Sequence, residues 1–169
     1  MHCHYRIALF RLFLAACSAL IATQAYAQAG DVATKELCQR AEIIAVGKVA
    51  SLESHWEANK SAIVTYVTLN VGEYLKGNAG QSLVLAAPGG EVDGVGEYYS
   101  HAARFARNED VVVFAERDAR GRYRVAGGQR GKLTVTKDAD TGVNIVAERQ
   151  RLEDFKSMIS TAIKPQVEQ

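Results

Sequence analysis

The middle of the chain alternates between apolar and polar positions with the period of a β-strand. Ile63–Val71 is the clearest segment, because its odd-numbered positions form a more apolar face than its even-numbered ones. Shorter apolar or β-branched runs, separated by turn-forming Gly, Asn and Asp residues, predict further strands. These strands are expected at Glu42–Ala50, Ser82–Ala87, Val111–Glu116, Tyr123–Ala126, Lys132–Thr136 and Val143–Ala147, with a short one at Glu97–His101.

Helical spacing occurs only towards the two ends of this region. Thr34–Arg40 predicts a brief helix, and the apolar residues Leu152, Phe155 and Ile159 predict an amphipathic helix ahead of Pro165. None of the connections between strands contains a long helical stretch, and parallel neighbours would need such crossovers. The pattern therefore predicts a mainly β fold, a closed or nearly closed barrel of short antiparallel strands with a helix at each end.

The first 27 residues have a different character, because they contain no Asp or Glu. Two arginines precede the apolar run Leu12–Ala22, and the small residues of Ala25–Ala27 follow it. This order predicts a signal peptide at 1–27 and a single mature domain at 28–169, exported to the periplasm or secreted. As an alternative, Leu14–Ser18 resembles the lipobox of bacterial lipoproteins, in which Cys17 would be lipidated and would anchor the chain to the membrane.

The charges of the whole chain are nearly balanced. Lys and Arg number 20 against 19 Asp and Glu, a formal net charge of +1. Nucleic-acid binding and attachment through a polybasic arm both need a surplus of cations. We therefore predict no nucleic-acid partner.

Cys38 is the only cysteine beyond the predicted leader. In an oxidising compartment it has no partner within its own chain. Its apolar neighbours favour a buried thiol that packs as a small hydrophobic residue. A disulfide to another chain is the alternative.

Part of the chain resembles a known group of folds. Cys38–Val49, followed by Tyr66–Val71 and then by Leu75-Lys76-Gly77, is similar to the opening of the tissue-inhibitor-of-metalloproteinase and netrin-module barrels. Later segments, from Pro88-Gly89-Gly90 to Gln129–Leu133, are similar to uncharacterised secreted bacterial proteins that we associate with the same barrel. The resemblance implies an OB-like barrel of five strands with flanking helices. It also implies a protein partner, with a secreted metalloprotease as one class.

The zinc-binding device of those inhibitors is missing from this sequence. In the family an N-terminal Cys, held by disulfides, binds the zinc of the protease. Here Gln28 is the predicted mature N-terminus, and Cys38 lies inside the chain without a second Cys to pair with it. If the protein inhibits a protease, it must use another surface.

No arrangement of residues predicts catalysis, a metal or a cofactor. His55 and His101 belong to no metal-binding spacing. The pair Gly89-Gly90 lacks the Gly-Lys-Ser/Thr of a phosphate loop and is expected to permit positive φ at a corner of the barrel. We therefore expect a protein that is not an enzyme and that carries no cofactor.

Aromatic residues mark a candidate surface for a protein partner. They lie in two stretches that we interpret as long polar loops, Ser51–Lys60 and Gly89–Arg107, and loops on a rigid scaffold often carry binding residues. The candidates are Trp56, Tyr98, Tyr99 and Phe105. The alternative for Trp56 and Phe105 is that they cover the ends of the barrel.

A second hypothesis comes from an Arg-rich part of the chain that begins at Arg104. Arg104, Arg107, Arg122 and Arg124 are interleaved with aromatic residues. Such a patch is suited to an anionic ligand. The alternative function is therefore an envelope-associated protein that binds a glycan or another anionic polymer.

Overall fold

A computed structural model describes residues 33–147 and 149–164. The chain divides into two units, Met1–Glu36 and Leu37–Gln169. Of the first unit only 33–36 are described, and they are helical. The predicted signal peptide and Cys17 lie outside the described residues.

The described chain is mainly β, with two helices, as predicted. Helix α1 covers residues 33–40. The strands are β1 (Ile43–Trp56), β2 (Ile63–Lys76), β3 (Ser82–Pro88), β4 (Gly90–Val92), β5 (Val95–Glu97), β6 (Asp110–Arg117), β7 (Tyr123–Val125), β8 (Lys132–Lys137), β9 (Asn144–Val146) and β10 (Gln150–Arg151). Helix α2 (Leu152–Ile163) follows, and short 3₁₀ turns lie at Ala58–Lys60 and Gly128–Gly131. No helix in the described ranges is both long and apolar enough to cross a membrane.

Five strands pair in a ring. Strand β1 pairs antiparallel with β2 on one side and with β6 on the other. Strand β2 continues to β3, and β6 continues to β7. The ring closes where β3 and β7 pair in parallel, at Leu85 and Tyr123. Strands β8, β9 and β10 extend from β6, whereas β4 and β5 form a separate hairpin.

Two apolar clusters form the core, and together they bury both faces of β1 and β6. One cluster takes residues from every ring strand, for example Val67 of β2 and Val113 of β6. The other lies under the helices, where the ring of Phe155 in α2 meets Phe114 of β6 edge to face at 6.5 Å. Because successive residues of β6 point into different clusters, Val111–Ala115 is apolar throughout.

The structure corrects two sequence predictions. Ser51–Lys60 is a loop only in its second half, because β1 continues to Trp56 and pairs with β2 as far as Ile63. The ladder of backbone hydrogen bonds tolerates polar side chains where the strands are only partly buried. The short strand predicted at Glu97–His101 instead ends at Glu97. Asp93 and Gly94 adopt positive φ and turn the chain into the β4–β5 hairpin.

Candidate functional site

A cavity of about 270 Å³ lies between the β1–β2 ladder, the end of β3 and the segment 97–105. We call it the aromatic cleft. Its apolar wall includes Leu52, Val67 and Phe105, and its polar floor contains Ser54 and Thr65. Its lining also includes Tyr98, Tyr99, Arg104 and the acidic residue Glu97. The cleft therefore combines aromatic rings, hydroxyl groups, one cation and one carboxylate.

The floor of the cleft depends on a close approach of backbone to side chains. The hydroxyls of Ser54 and Thr65 are 2.9 Å apart, and Thr65 Oγ1 donates to the carbonyl oxygen of Gly89 at 2.6 Å. A Cβ atom on Gly90 would lie 2.3 Å from Thr65 Oγ1, and Gly90 has a φ of +134°. Both glycines have positive φ, as the sequence predicted.

One carboxylate ties the rim of the cleft to the ring. Glu97 Oε2 accepts a hydrogen bond from the backbone N–H of Ile63 at 2.9 Å and one from the hydroxyl of Tyr99 at 3.4 Å. The N–H of Gly89 donates to the carbonyl of Ile63 at 2.8 Å. These bonds fix the end of the β4–β5 hairpin against the start of β2, so the rim is held in place.

The mouth of the cleft exposes two tyrosines. The residue Tyr98 is 72% exposed and Tyr99 is 45% exposed. The guanidinium carbon of Arg104 lies 5.6 Å from the centre of the Tyr98 ring, within the range of a cation–π contact. Phe105, by contrast, is partly buried against the cluster shared by the ring strands.

The structure thus brings together some of the predicted residues and separates others. Tyr98, Tyr99, Phe105 and Arg104 all line the aromatic cleft. Trp56 ends β1 and lies outside this lining, partly buried. The polar floor of Ser54 and Thr65 was not predicted, because two hydroxyls in strands are too common in sequences to indicate a site.

Two of the four predicted arginines are paired with carboxylates elsewhere. Arg122 binds Glu57 at 2.6 Å and Asp118 at 2.8 Å, and Arg124 binds Glu116 at 3.0 Å. We call these five residues the arginine network. The hydrogen bonds to Glu57 and then to Asp118 raise the pKa of Arg122 further above its usual value. The fourth predicted arginine, Arg107, is exposed and does not line the cleft.

Two carboxyl groups of the arginine network, those of Glu57 and Asp118, have lowered pKa values. Hydrogen bonds from Arg122 and Arg120 lower the pKa of Glu57. Burial alone would raise the pKa of Asp118, but hydrogen bonds from the backbone and side chain of Arg122 outweigh it and lower the pKa. The network therefore joins the β1–β2 turn to the β6–β7 turn.

A larger groove of about 580 Å³ lies beside the arginine network. Its lining combines the network with small apolar residues such as Ala62 and Ala87, and Tyr99 borders both this groove and the aromatic cleft. Arg40 also contributes, through a hydrogen bond of 3.0 Å to Glu116. The charged side chains on this groove therefore already pair with one another.

Cys38 is a buried free thiol, as predicted. Its exposure is 1%. Burial raises the pKa of the thiol, and the charge of Lys76 opposes this only in part. The Nζ of Lys76 donates to the carbonyl oxygen of Cys38 at 2.7 Å. The thiol is therefore enclosed in the fold, and the carbonyl is paired with Lys76.

The two histidines of the described ranges, His55 and His101, belong to different surfaces. The ring of His55 is 5.9 Å from that of Tyr66, and His101 is exposed between two surface grooves. In the described ranges, no group of three or more His, Cys, Asp or Glu side chains is arranged to hold a metal ion.

Comparison with known proteins gives no relative for the chain. No family model, no curated protein and no solved structure matches it.

Proposed function

We propose that the mature chain is an exported, non-enzymatic module that binds a protein partner through the aromatic cleft. The supporting observation is the distribution of exposed apolar side chains. The large hydrophobic residues that are exposed within the described chain are Val84, Val95, Tyr98 and Tyr99, and three of these lie between positions 95 and 99. Exposed aromatic residues around a pocket are typical of the central contacts of protein interfaces.

The fold proposed for this module is an OB-type barrel. The ring order β1-β2-β3-β7-β6, with the parallel pairing of β3 and β7, supports this hypothesis. It also supports the proposed kinship with the tissue-inhibitor-of-metalloproteinase and netrin-module barrels. Fold alone does not imply a common activity, so the partner has to be inferred from the surface.

A secreted metalloprotease remains a proposed class of partner, but its contact would differ from that of the family. Cys38 is buried, and its carbonyl accepts a hydrogen bond from Lys76. Neither group is therefore free to bind the zinc of a protease. Inhibition would instead place the exposed rings of Tyr98 and Tyr99 against the protease.

The proposed route of export is cleavage after Ala27. Mass spectrometry of the mature N-terminus tests it, because cleavage predicts a chain that starts at Gln28. A lipidated Cys17 at the N-terminus would contradict the soluble module and would support the membrane-anchored alternative.

The binding function is tested by capture with matched variants. Envelope and secreted fractions of the producing organism are passed over the immobilised wild-type domain, the double variant Tyr98→Ala/Tyr99→Ala, and Val84→Ser. Val84 is 46% exposed, close to the 45% of Tyr99, and lies outside the cleft. We expect one protein to be retained by the wild-type domain and by Val84→Ser, and to be lost with the double variant.

The captured protein must then bind again in purified form with the same dependence on the tyrosines. Trp56→Ala provides a second control, because Trp56 does not line the cleft. Absence of any reproducible partner, or equal capture by the double variant, would contradict the proposed function.

A further inference from the structure

A basic surface adjoins the aromatic cleft. Arg104 lines both the cleft and a neighbouring surface groove, which it shares with Ser100 and Gln129. Gln129 in turn lines the next groove together with His101 and Arg130. No Asp or Glu lines either of these two grooves. We call the surface formed by Arg104, His101 and Arg130 the basic shelf.

The two arginines of the basic shelf differ from those of the arginine network. In the part of the chain that the structure describes, neither Arg104 nor Arg130 has a carboxylate within the 4.0 Å of an ion pair. Arg104 is exposed, and its guanidinium is held over the Tyr98 ring at the mouth of the cleft. The cation therefore has a defined position next to an apolar pocket and remains available to an anion from outside.

The size of the cleft limits what can enter it. Its volume of about 270 Å³ is below the roughly 300–1,000 Å³ of pockets that enclose a whole small ligand. Its walls are apolar at Leu52, Val67 and Phe105. A single large apolar side chain, held in a longer chain that continues across the surface, fits this space and this chemistry.

We propose that the cleft and the basic shelf together recognise an acidic–apolar peptide segment of the partner. The apolar side chain enters the cleft between Tyr98 and Tyr99, and carboxylates that follow it lie along Arg104 and Arg130. This inference rests on the proposed function and names the chemistry of the partner.

An anionic polymer is a weaker match for the same surface. Such a ligand is held mainly by many phosphate, sulfate or carboxylate contacts to cations. Arg122 and Arg124 are already paired with Glu57, Asp118 and Glu116. The apolar pocket beside Arg104 would also remain empty if a polymer bound only to the shelf.

The test compares two blocked peptides of equal length that share the apolar anchor. The probes are acetyl-Gly-Phe-Glu-Glu-Gly-amide and acetyl-Gly-Phe-Lys-Lys-Gly-amide, and the dissociation constants come from titrations followed by NMR. We expect the Glu peptide to bind about tenfold more tightly at low salt, a preference that shrinks as salt screens the charges. Both peptides should bind more weakly to Tyr98→Ala than to the wild-type domain.

Charge variants decide whether Arg104 is responsible for the preference. Arg104→Gln should make the dissociation constants of the two peptides about equal. Arg104→Glu should make the Lys peptide bind more tightly than the Glu peptide. Arg107→Glu is the matched control, because it makes the same change in charge at an exposed arginine outside the cleft. In this control the preference for the Glu peptide should be largely retained.

Several results would overturn the inference. These are no binding of either peptide, equal binding to the wild-type domain, or an unchanged preference in Arg104→Glu. If a heparin tetrasaccharide binds at Arg104 and neither peptide binds, the inference is overturned in favour of an anionic glycan. If the natural partner is lost with Tyr98→Ala but retained by Arg104→Glu, the proposed function stands and this inference fails.

Discussion

The arginine network and the aromatic cleft use the same residue type in opposite ways. Arg122 is enclosed by Glu57 and Asp118, and its side chain is 29% exposed. Arg104 has an aromatic ring beneath it and remains exposed. Both residues come from one Arg-rich part of the sequence. The difference lies in what surrounds each guanidinium, because Arg122 is paired with two carboxylates whereas Arg104 lies over an aromatic ring.

The largest expected effect concerns the floor of the cleft. In Gly90→Ala the new Cβ would meet the hydroxyls of Thr65 and Ser54 at 2.3 and 2.4 Å, on a backbone with a φ of +134°. We expect the free energy of unfolding to fall by about 3 kcal/mol because overpacking and backbone strain add. Chemical denaturation measures this change.

Gly94→Ala is the control for that experiment. Gly94 also has positive φ, at +77°, but a Cβ there meets no atom within 4 Å. Gly94→Ala should therefore lower the free energy of unfolding by only about 1 kcal/mol. Equal losses in the two variants would show that the close approach at Gly90 has no special importance for the cleft.

The next prediction compares how much Arg122 and Arg104 contribute to the free energy of unfolding. Arg122→Ala removes the contacts to Glu57 and Asp118, and we expect it to lower the free energy of unfolding by about 1 kcal/mol. Arg104→Ala should change it by less than about 0.5 kcal/mol, because the residue is exposed and lacks an ionic partner. A larger loss of stability in Arg104→Ala than in Arg122→Ala, measured by denaturation, would contradict the difference proposed between the two arginines.

The pH dependence of stability should also depend on the arginine network. The pKa values of Glu57 and Asp118 are lowered in the folded state. The stability that these two carboxylates contribute is therefore fully present above the unfolded carboxyl pKa of about 4. It is lost as the pH falls through the folded values. We expect the melting temperature of the wild-type domain to decrease when the pH is lowered below about 4. The decrease should be smaller in Arg122→Ala. An identical acid profile in that variant would contradict the role of Arg122.

The smallest stability effect is expected at the mouth of the cleft. Tyr98 is 72% exposed, so Tyr98→Ala should change the free energy of unfolding by less than about 0.5 kcal/mol. Binding should nevertheless be lost. A large loss of stability in this variant would mean that Tyr98 supports the fold and would weaken its use as a test of binding.

The fold was predictable where side-chain alternation or helical spacing is strong. Strand β2, strand β6 and helix α2 follow directly from the apolar periods of the sequence. The extension of β1 to Trp56 was missed, because Ser51–Trp56 is polar and is held mainly by pairing with β2. The β4–β5 hairpin was missed as well, since its glycines suppress the usual strand signal.

The site was predictable in its aromatic residues but not in its electrostatics. Tyr98, Tyr99, Phe105 and Arg104 lie within eight consecutive positions, so one segment brings them to one surface. One partner of Arg122, Asp118, is an i,i+4 neighbour. The other, Glu57, is 65 positions away, and only the ring of strands brings it to Arg122. Arg130 belongs to the same Arg-rich part of the sequence, but only the fold places it on one groove with His101.

Photo-crosslinking locates the binding surface most directly. The probe is the Glu peptide with its phenylalanine replaced by benzoylphenylalanine, and the adducts are mapped by mass spectrometry. Binding in the aromatic cleft predicts adducts at residues 52–54, 65–67 and 97–105, with loss of labelling in Tyr98→Ala. Adducts confined to residues 57–64 and 118–128, around the arginine network, would contradict the cleft as the binding site.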